Sequence, residues 1–345
     1  MSKLQTITFG EIMLRLTPPG FERYLQTPNF NATFGGGEAN VAVALATLGL
    51  SAAFVTVLPE NNPIADACVA ELRRFGVDVS KLVRGPGRMG VYYLEAGANQ
   101  RASRVVYDRA GSSAAIAKPG SIDWDKTLAG GGWFHVTGIT PAISESSAAL
   151  ALEGAQKARE HGLTVSCDLN FRKLLWKWGK PAPAVMSEIV RFVDVVIANE
   201  EDIQMCLGLN ADMDVSSGVL EHQRYEDLTG LVLKTYSNLR AVAVTLRESK
   251  SASWNRWSAC LNNGRSFLMS RAYDITSIVD RVGSGDSFAG GLIYGMQMLP
   301  GDAAALEFAV ALSCLKHSTY GDYSRSTLAE VNSLLKDGGS GRVQR

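Results

Sequence analysis

Short apolar runs recur along the chain at the spacing of buried strands. They are ITFGEIMLRL from Ile7, SAAFVTVL from Ser51, WFHVTGI from Trp133, LTVSCDL from Leu163, VDVVIAN from Val193 and AVAVTL from Ala241. Between them, Ile64 to Phe75, Ser144 to His161, Ala184 to Phe192 and Glu226 to Leu239 carry apolar positions three and four apart, the pattern of amphipathic helices. Strands that alternate with helices predict an α/β fold whose mostly parallel sheet is covered on both faces. Ligands of such sheets sit beyond the carboxyl ends of the strands, where the loops DLNFR, ANEED and TLRES fall.

One region breaks this alternation. From Arg88 to Ala110, RMGVYYLEAGANQRASRVVYDRA holds two β-rich runs joined by GANQRAS with no helix between them, a hairpin pattern. With the extended stretch 14–33 it predicts a small separate sheet, a lid or a dimer surface; the alternative is an antiparallel edge of the main sheet. The expected organisation is a main domain of 1–13, 34–87 and 111–337, a β lid of 14–33 and 88–110, and a flexible tail of 338–345 without a function.

Composition narrows the chemistry. The 345 residues are 46% hydrophobic, and 34 Lys plus Arg balance 34 Asp plus Glu. There is thus a sizeable core and no basic excess of the kind nucleic-acid binders carry, which favours small-molecule chemistry. The five cysteines are scattered without a C-x-x-C pair, as expected of reduced thiols rather than a disulfide framework or zinc site. No signal-type apolar block opens the chain and no apolar run reaches about eighteen residues. A cytoplasmic protein with no membrane partner is expected.

Two glycine-rich stretches precede helical patterns: GGGEANVAVALATLG from Gly35 and DRVGSGDSFAGGLIYGM from Asp280. Glycines at a helix start let an anion approach unpaired backbone amides at the positive end of the helix dipole. Gly283, Ser284 and Gly285 therefore form a candidate anion hole, with Asp286 either a catalytic carboxylate or an ordinary first-turn acid. The dinucleotide fingerprint fails because Phe288 stands where its third glycine belongs, and no Gly-Lys-Ser/Thr follows a suitably spaced glycine as a Walker A loop requires. The first stretch puts Gly36, Gly37 and Asn40 at another helix start, either a polyol site or a tight strand-to-helix turn.

Taken together, GGGEANVAVALATLG and VDRVGSGDSFAGGL resemble the two signatures of the ribokinase-like (PfkB) carbohydrate kinases, and the order of elements fits from about residue 5 to residue 335. The resemblance implies a ribokinase-like three-layer α/β domain with a small β-sheet lid, and phosphoryl transfer from ATP to a sugar hydroxyl. It assigns the hydroxyl proton to Asp286, the γ-phosphate to the amides of Gly283 to Gly285, and the sugar to Gly36 and Asn40. Further likeness in GVYYLE, VVYDRAGSSA, DLNFRKLLW and KHSTYGDYS points to the members that phosphorylate 2-keto-3-deoxygluconate to its 6-phosphate. The alternatives are a kinase for a neutral ketose such as fructose and a non-catalytic sugar- or nucleotide-binding regulator.

A sugar acid has its own chemical requirement, since a carboxylate is well held by two arginines. Arg109 on the hairpin and Arg172 after VSCDL either supply them or form structural ion pairs. Tyr92 and Tyr107 either cap the sugar or pack at the lid base, and Asp322 is placed near the acceptor end of the sugar. On the nucleotide side the resemblance implies Asn199 and Thr245, with Asp202 replacing the family's Glu toward magnesium, through water; Arg247 stands where many members have glycine and either meets the phosphates or points outward. His317 either flanks adenine or is a plain helix-surface histidine. The expected cofactors are ATP and Mg2+, with a monovalent cation as a further candidate, and a homo-oligomer, dimer or higher, is expected.

Overall fold

The computed structural model describes residues 4–199, 201–209 and 222–337; the expected flexible tail 338–345 lies outside them. The strands of the main sheet run in the spatial order Phe267–Met269, Trp254–Asn262, Ala241–Ser251, Val195–Asn199, Thr164–Asp168, Gly131–Thr137, Gln5–Phe9 and Ala52–Val55. From Ala241–Ser251 to Ala52–Val55 every neighbouring pair is parallel, and the remaining edge is antiparallel. Apolar clusters cover both faces. One packs the Gly37–Thr47, Ser284–Met298 and Asp302–Lys316 helices against the sheet, and the other packs Glu145–Glu160, Ala182–Val190 and His222–Thr235. The α/β expectation and its parallel sheet hold.

The four expected helices appear as Pro63–Arg74, Glu145–Glu160, Ala182–Val190 and His222–Thr235. Caps set two starts: the Asn62 side chain accepts from Ala65 N, and Ser144 Oγ accepts from Ser147 N. The two longest strand-like runs are each divided. ITFGEIMLRL contributes Gln5–Phe9 to the main sheet and Met13–Thr17 to a second sheet. The chain leaves at Gly10, where a Cβ would lie 2.0 Å from Glu38 Oε2, so a larger residue there would have to displace the buried Glu38 carboxylate. SAAFVTVL divides into Ala52–Val55 and Val57–Pro59, and the latter pairs with Val83–Gly85.

The second sheet is separate from the first, in the order Asn31–Gly35, Met13–Thr17, Gly90–Glu95 and Arg104–Asp108. Gly90–Glu95 and Arg104–Asp108 form the expected hairpin, with Tyr92 opposite Tyr107. The alternative, an added edge of the main sheet, is not adopted. No described helix is long and apolar enough to cross a membrane.

Candidate active site

A cleft of about 390 Å³ lies between the second sheet and the carboxyl ends of the parallel strands. Both glycine stretches open onto it. The Ser284–Met298 helix starts from Gly283, whose φ of 83° is left-handed and whose Cβ would meet the Asp322 carbonyl oxygen at 1.9 Å. At Gly285 a Cβ would meet nothing within 4 Å, so this turn is open to a ligand. Asp286 follows in the first helical turn and is buried.

Its carboxylate meets the other glycine stretch. Asn40 Nδ2 donates to Asp286 Oδ2 at 2.6 Å, while Asn40 Oδ1 accepts from Gly36 N at 3.2 Å. Burial pushes the Asp286 carboxyl up to about 6, and the bond from Asn40 opposes that rise. A carboxylate held in one orientation, mostly ionised at neutral pH and close to its protonation point, suits a general base. Asn40 lines the cleft as expected, but its amide nitrogen is committed to Asp286.

The half of the cleft expected to take a sugar is lined by Gly36, Gly37, Tyr92, Tyr107, Arg109, Arg172 and Asp322. Several of these are already engaged. Tyr92 OH donates to Asp322 Oδ1 at 2.6 Å, and the same oxygen accepts from Arg15 Nη1 at 2.7 Å. Arg15 also grips Asp280, so a buried network ties the second sheet to the approach to the anion loop at Asp280 and to Asp322. Arg109 is buried, with both Nε and Nη2 on Glu11 Oε2, and its guanidinium lies 5.5 Å from the Tyr107 ring centre. It thus forms the structural ion pair while still facing the cleft. Arg172 differs: it is exposed, donates only to the Phe171 carbonyl at 3.0 Å, and has no ion pair among the described residues.

The other half is lined by Asn199, Asp202, Thr245, Arg247, Trp257 and Arg281. Asp202 Oδ2 accepts from Asn199 N and Oδ1 from Phe171 N, each at 2.9 Å, while Asn199 Oδ1 accepts from Asp202 N. Thr245 Oγ1 donates to the Ala198 carbonyl. Arg247 is exposed and has no ion pair among the described residues, and burial followed by its positive charge pulls the pKa of Arg281 down. Two neighbouring guanidiniums make a place for a polyanion. His317 does not line the cleft. It is buried, Nδ1 is 2.8 Å from the Ser313 carbonyl, and its ring meets Trp257 edge-on at 5.4 Å. The indole lines the cleft in its place, and the plain helix-surface alternative fails as well, because the ring is not on the surface.

Several cleft residues were passed over in the sequence. Asp168 and Asn170 stand in the loop DLNFR, from which only Arg172 was singled out. Asp168 is buried and its pKa is raised well above the carboxylate range by desolvation first, then by Asp202 and Asp286. Arg172 opposes the rise at all three acids. Asn170 Oδ1 is buried with no partner among the described residues, an acceptor suited to a ligand hydroxyl. Glu11 and Trp257 carried no motif. Among the described residues no group of acids, histidines and cysteines forms a complete metal cage. The carboxylates of Asp168 and Asp202 do fit a Mg2+ ion that arrives with phosphates and keeps several waters.

The cleft's geometry can be set beside known proteins. A sequence profile described as pfkB family carbohydrate kinase matches residues 4–328. A crystal structure of 2-dehydro-3-deoxygluconokinase from Thermotoga maritima is 46% identical and superposes with a TM-score of 0.90 over 96% of this chain and 98% of that one. A 2-dehydro-3-deoxygalactonokinase of Haloferax volcanii is 32% identical over 98% of both chains. A PfkB family carbohydrate kinase structure from Listeria grayi is 30% identical, with a TM-score of 0.86 over 96% of this chain and all of that one (100%).

Proposed function

Since the chain belongs to the pfkB family of carbohydrate kinases, we propose that it transfers the γ-phosphoryl group of ATP to the 6-hydroxyl of 2-keto-3-deoxygluconate, also named 2-dehydro-3-deoxygluconate. The observation that carries the proposal is the Asp286 carboxylate, held by Asn40 in the first turn beyond the glycine loop, with the Arg172 guanidinium, which has no ion pair among the described residues, on the same cleft. The relatives named for sugar-acid substrates support the same class.

Phosphoryl transfer through a loose transition state asks the protein for in-line placement, charge neutralisation and an oriented nucleophile. The sugar lies between the second sheet and the Gly37–Thr47 helix, its carboxylate on Arg172 with Arg109 beside it and a hydroxyl on Asn170 Oδ1. The nucleotide lies along Asn199, Thr245 and Trp257 with its phosphates toward Arg247 and Arg281. Asp286 takes the proton of the attacking hydroxyl, and the amides of Gly283 to Gly285 hold the γ-phosphate at the positive end of the helix dipole. A Mg2+ ion held through water by Asp202, with Asp168 nearby, would neutralise phosphate charge. The second sheet closes over the sugar and excludes water. Its outer strand exposes Val105 and Val106, which supports assembly with a further copy. The five free cysteines support a reducing, cytoplasmic setting.

An ATP-consumption assay over a panel of sugar acids and neutral sugars tests this. The panel includes both 2-keto-3-deoxygluconate and its galactonate epimer, which the named relatives divide between them. Turnover confined to the acids is expected. Preference for fructose over every acid would move the protein to the neutral-sugar kinases, and no turnover with any sugar would favour a non-catalytic binder.

A further inference from the structure

A buried lysine stands behind the anion loop; it opens the KHSTYGDYS stretch, and the proposed chemistry gives it no role. Lys316, in the last turn of the Asp302–Lys316 helix, has no exposed surface. Its Nζ lies 3.3 Å from the Asp280 carbonyl oxygen and 3.2 Å from that of Thr319. Asp280 begins the segment that leads into Gly283. The end of the same helix holds this segment at further points: the His317 carbonyl accepts from Val279 N at 2.9 Å and from Asp280 N at 3.3 Å, and Ser313 Oγ donates to the Ser284 carbonyl at 2.7 Å.

Burying an ammonium costs several kcal/mol unless its surroundings compensate. Here they do. Asp280 and Asp322 are buried nearby with Arg15 as the other cation, so two carboxylates face two positive groups. The negative end of the helix dipole adds to this. Desolvation pulls the Lys316 pKa down, while Asp280, Asp322 and Asp286 push it up.

A monovalent metal ion that supported the loop from behind would seek the same ligands, backbone carbonyls of the loop's approach and of the adjoining turn. Those oxygens already face a fixed ammonium, so the residues here do not fit a separate ion. We infer that Lys316 is a built-in cation: a positioning residue that fixes the approach to the anion loop and supplies the positive charge behind it, so that turnover needs no added alkali ion. The inference rests on the kinase reading for its effect on turnover, but its effect on the fold can be read separately.

The test compares potassium chloride with tetramethylammonium chloride at equal ionic strength, following both turnover and thermal unfolding. Wild-type turnover and Tm are expected to agree within about twofold and about a degree between the two salts. Lys316→Ala is expected to lose turnover by about tenfold or more in tetramethylammonium. Potassium, ammonium or methylammonium should then restore part of the activity and raise its Tm. The uncharged, similarly shaped Lys316→Met should show the loss without the rescue. Wild-type turnover or Tm that rises severalfold or by several degrees with potassium would overturn the built-in cation while leaving the kinase reading intact. A protein inactive on every sugar whose Lys316→Ala Tm alone responds to potassium or ammonium would overturn the kinase reading and support the cation.

Discussion

Replacing Asn40 by Ala removes the one side-chain donor to Asp286 among the described residues, a buried 2.6 Å bond. A hydrogen bond to a charged group is worth about 1.5–3 kcal/mol, and this one favours the ionised carboxylate. At about 1.36 kcal/mol per pH unit, its loss moves the Asp286 pKa upward by about one to two pH units, from about 6 to about 7–8. The ionised fraction at pH 7 then falls from about nine-tenths to between about one-half and one-tenth. The assay is kcat/KM for the sugar acid from pH 5 to 9.5, which reports groups of the free enzyme. The wild type should lose activity as pH falls through about 6. Asn40→Ala should lose it at a pH about one to two units higher and recover part of the deficit above pH 8.5. A uniform fall with the acid limb still near pH 6 would refute the idea that Asn40 tunes Asp286.

Two other outcomes follow from neighbouring contacts. Arg172→Met removes a guanidinium with no structural ion pair among the described residues. It should lower kcat/KM for the sugar acid by about tenfold to more than a hundredfold while changing activity on a neutral analogue much less, and equal losses would show that Arg172 does not hold the carboxylate. Glu38, buried beneath the first glycine stretch and accepting from Thr137 N, Thr137 Oγ1 and Thr140 Oγ1, has its pKa pushed up by burial to about 7. Folding therefore favours its protonated form, so its contribution to stability is present below its unfolded pKa and is lost as pH rises through about 7. Glu38→Gln should gain Tm relative to wild type at pH 8 compared with pH 5, and a Tm difference that shrinks with rising pH would contradict this.

The glycine loops and their helices were legible because both are local signals: a helix start is written in consecutive residues. So was the hairpin, whose two β-rich runs have no helix between them. The contacts that give these parts their chemistry are distant in sequence. Asn40 meets Asp286 across 246 positions, and Arg109 meets Glu11 across 98. No local pattern reports that the arginine is spoken for while Arg172 has no ion pair among the described residues. The division of ITFGEIMLRL was hidden for a similar reason, because the obstacle at Gly10 is a side chain 28 positions later. Lys316 reads as an ordinary polar residue at a helix end and His317 as an adenine flank or a surface histidine, yet both are buried, and the approach to the anion loop bonds to the His317 carbonyl and to Lys316 Nζ.

Asp286 is proposed to remove the hydroxyl proton during transfer of a phosphoryl group to a sugar acid. This is tested most directly by Asp286→Asn, an uncharged substitution of nearly the same shape, with turnover measured beside calorimetric binding of ATP and of 2-keto-3-deoxygluconate. Binding within a few-fold of wild type is expected, with kcat reduced by about a hundredfold to ten-thousandfold, the range for loss of a general base. A variant that keeps more than about a tenth of wild-type kcat would exclude Asp286 as the base.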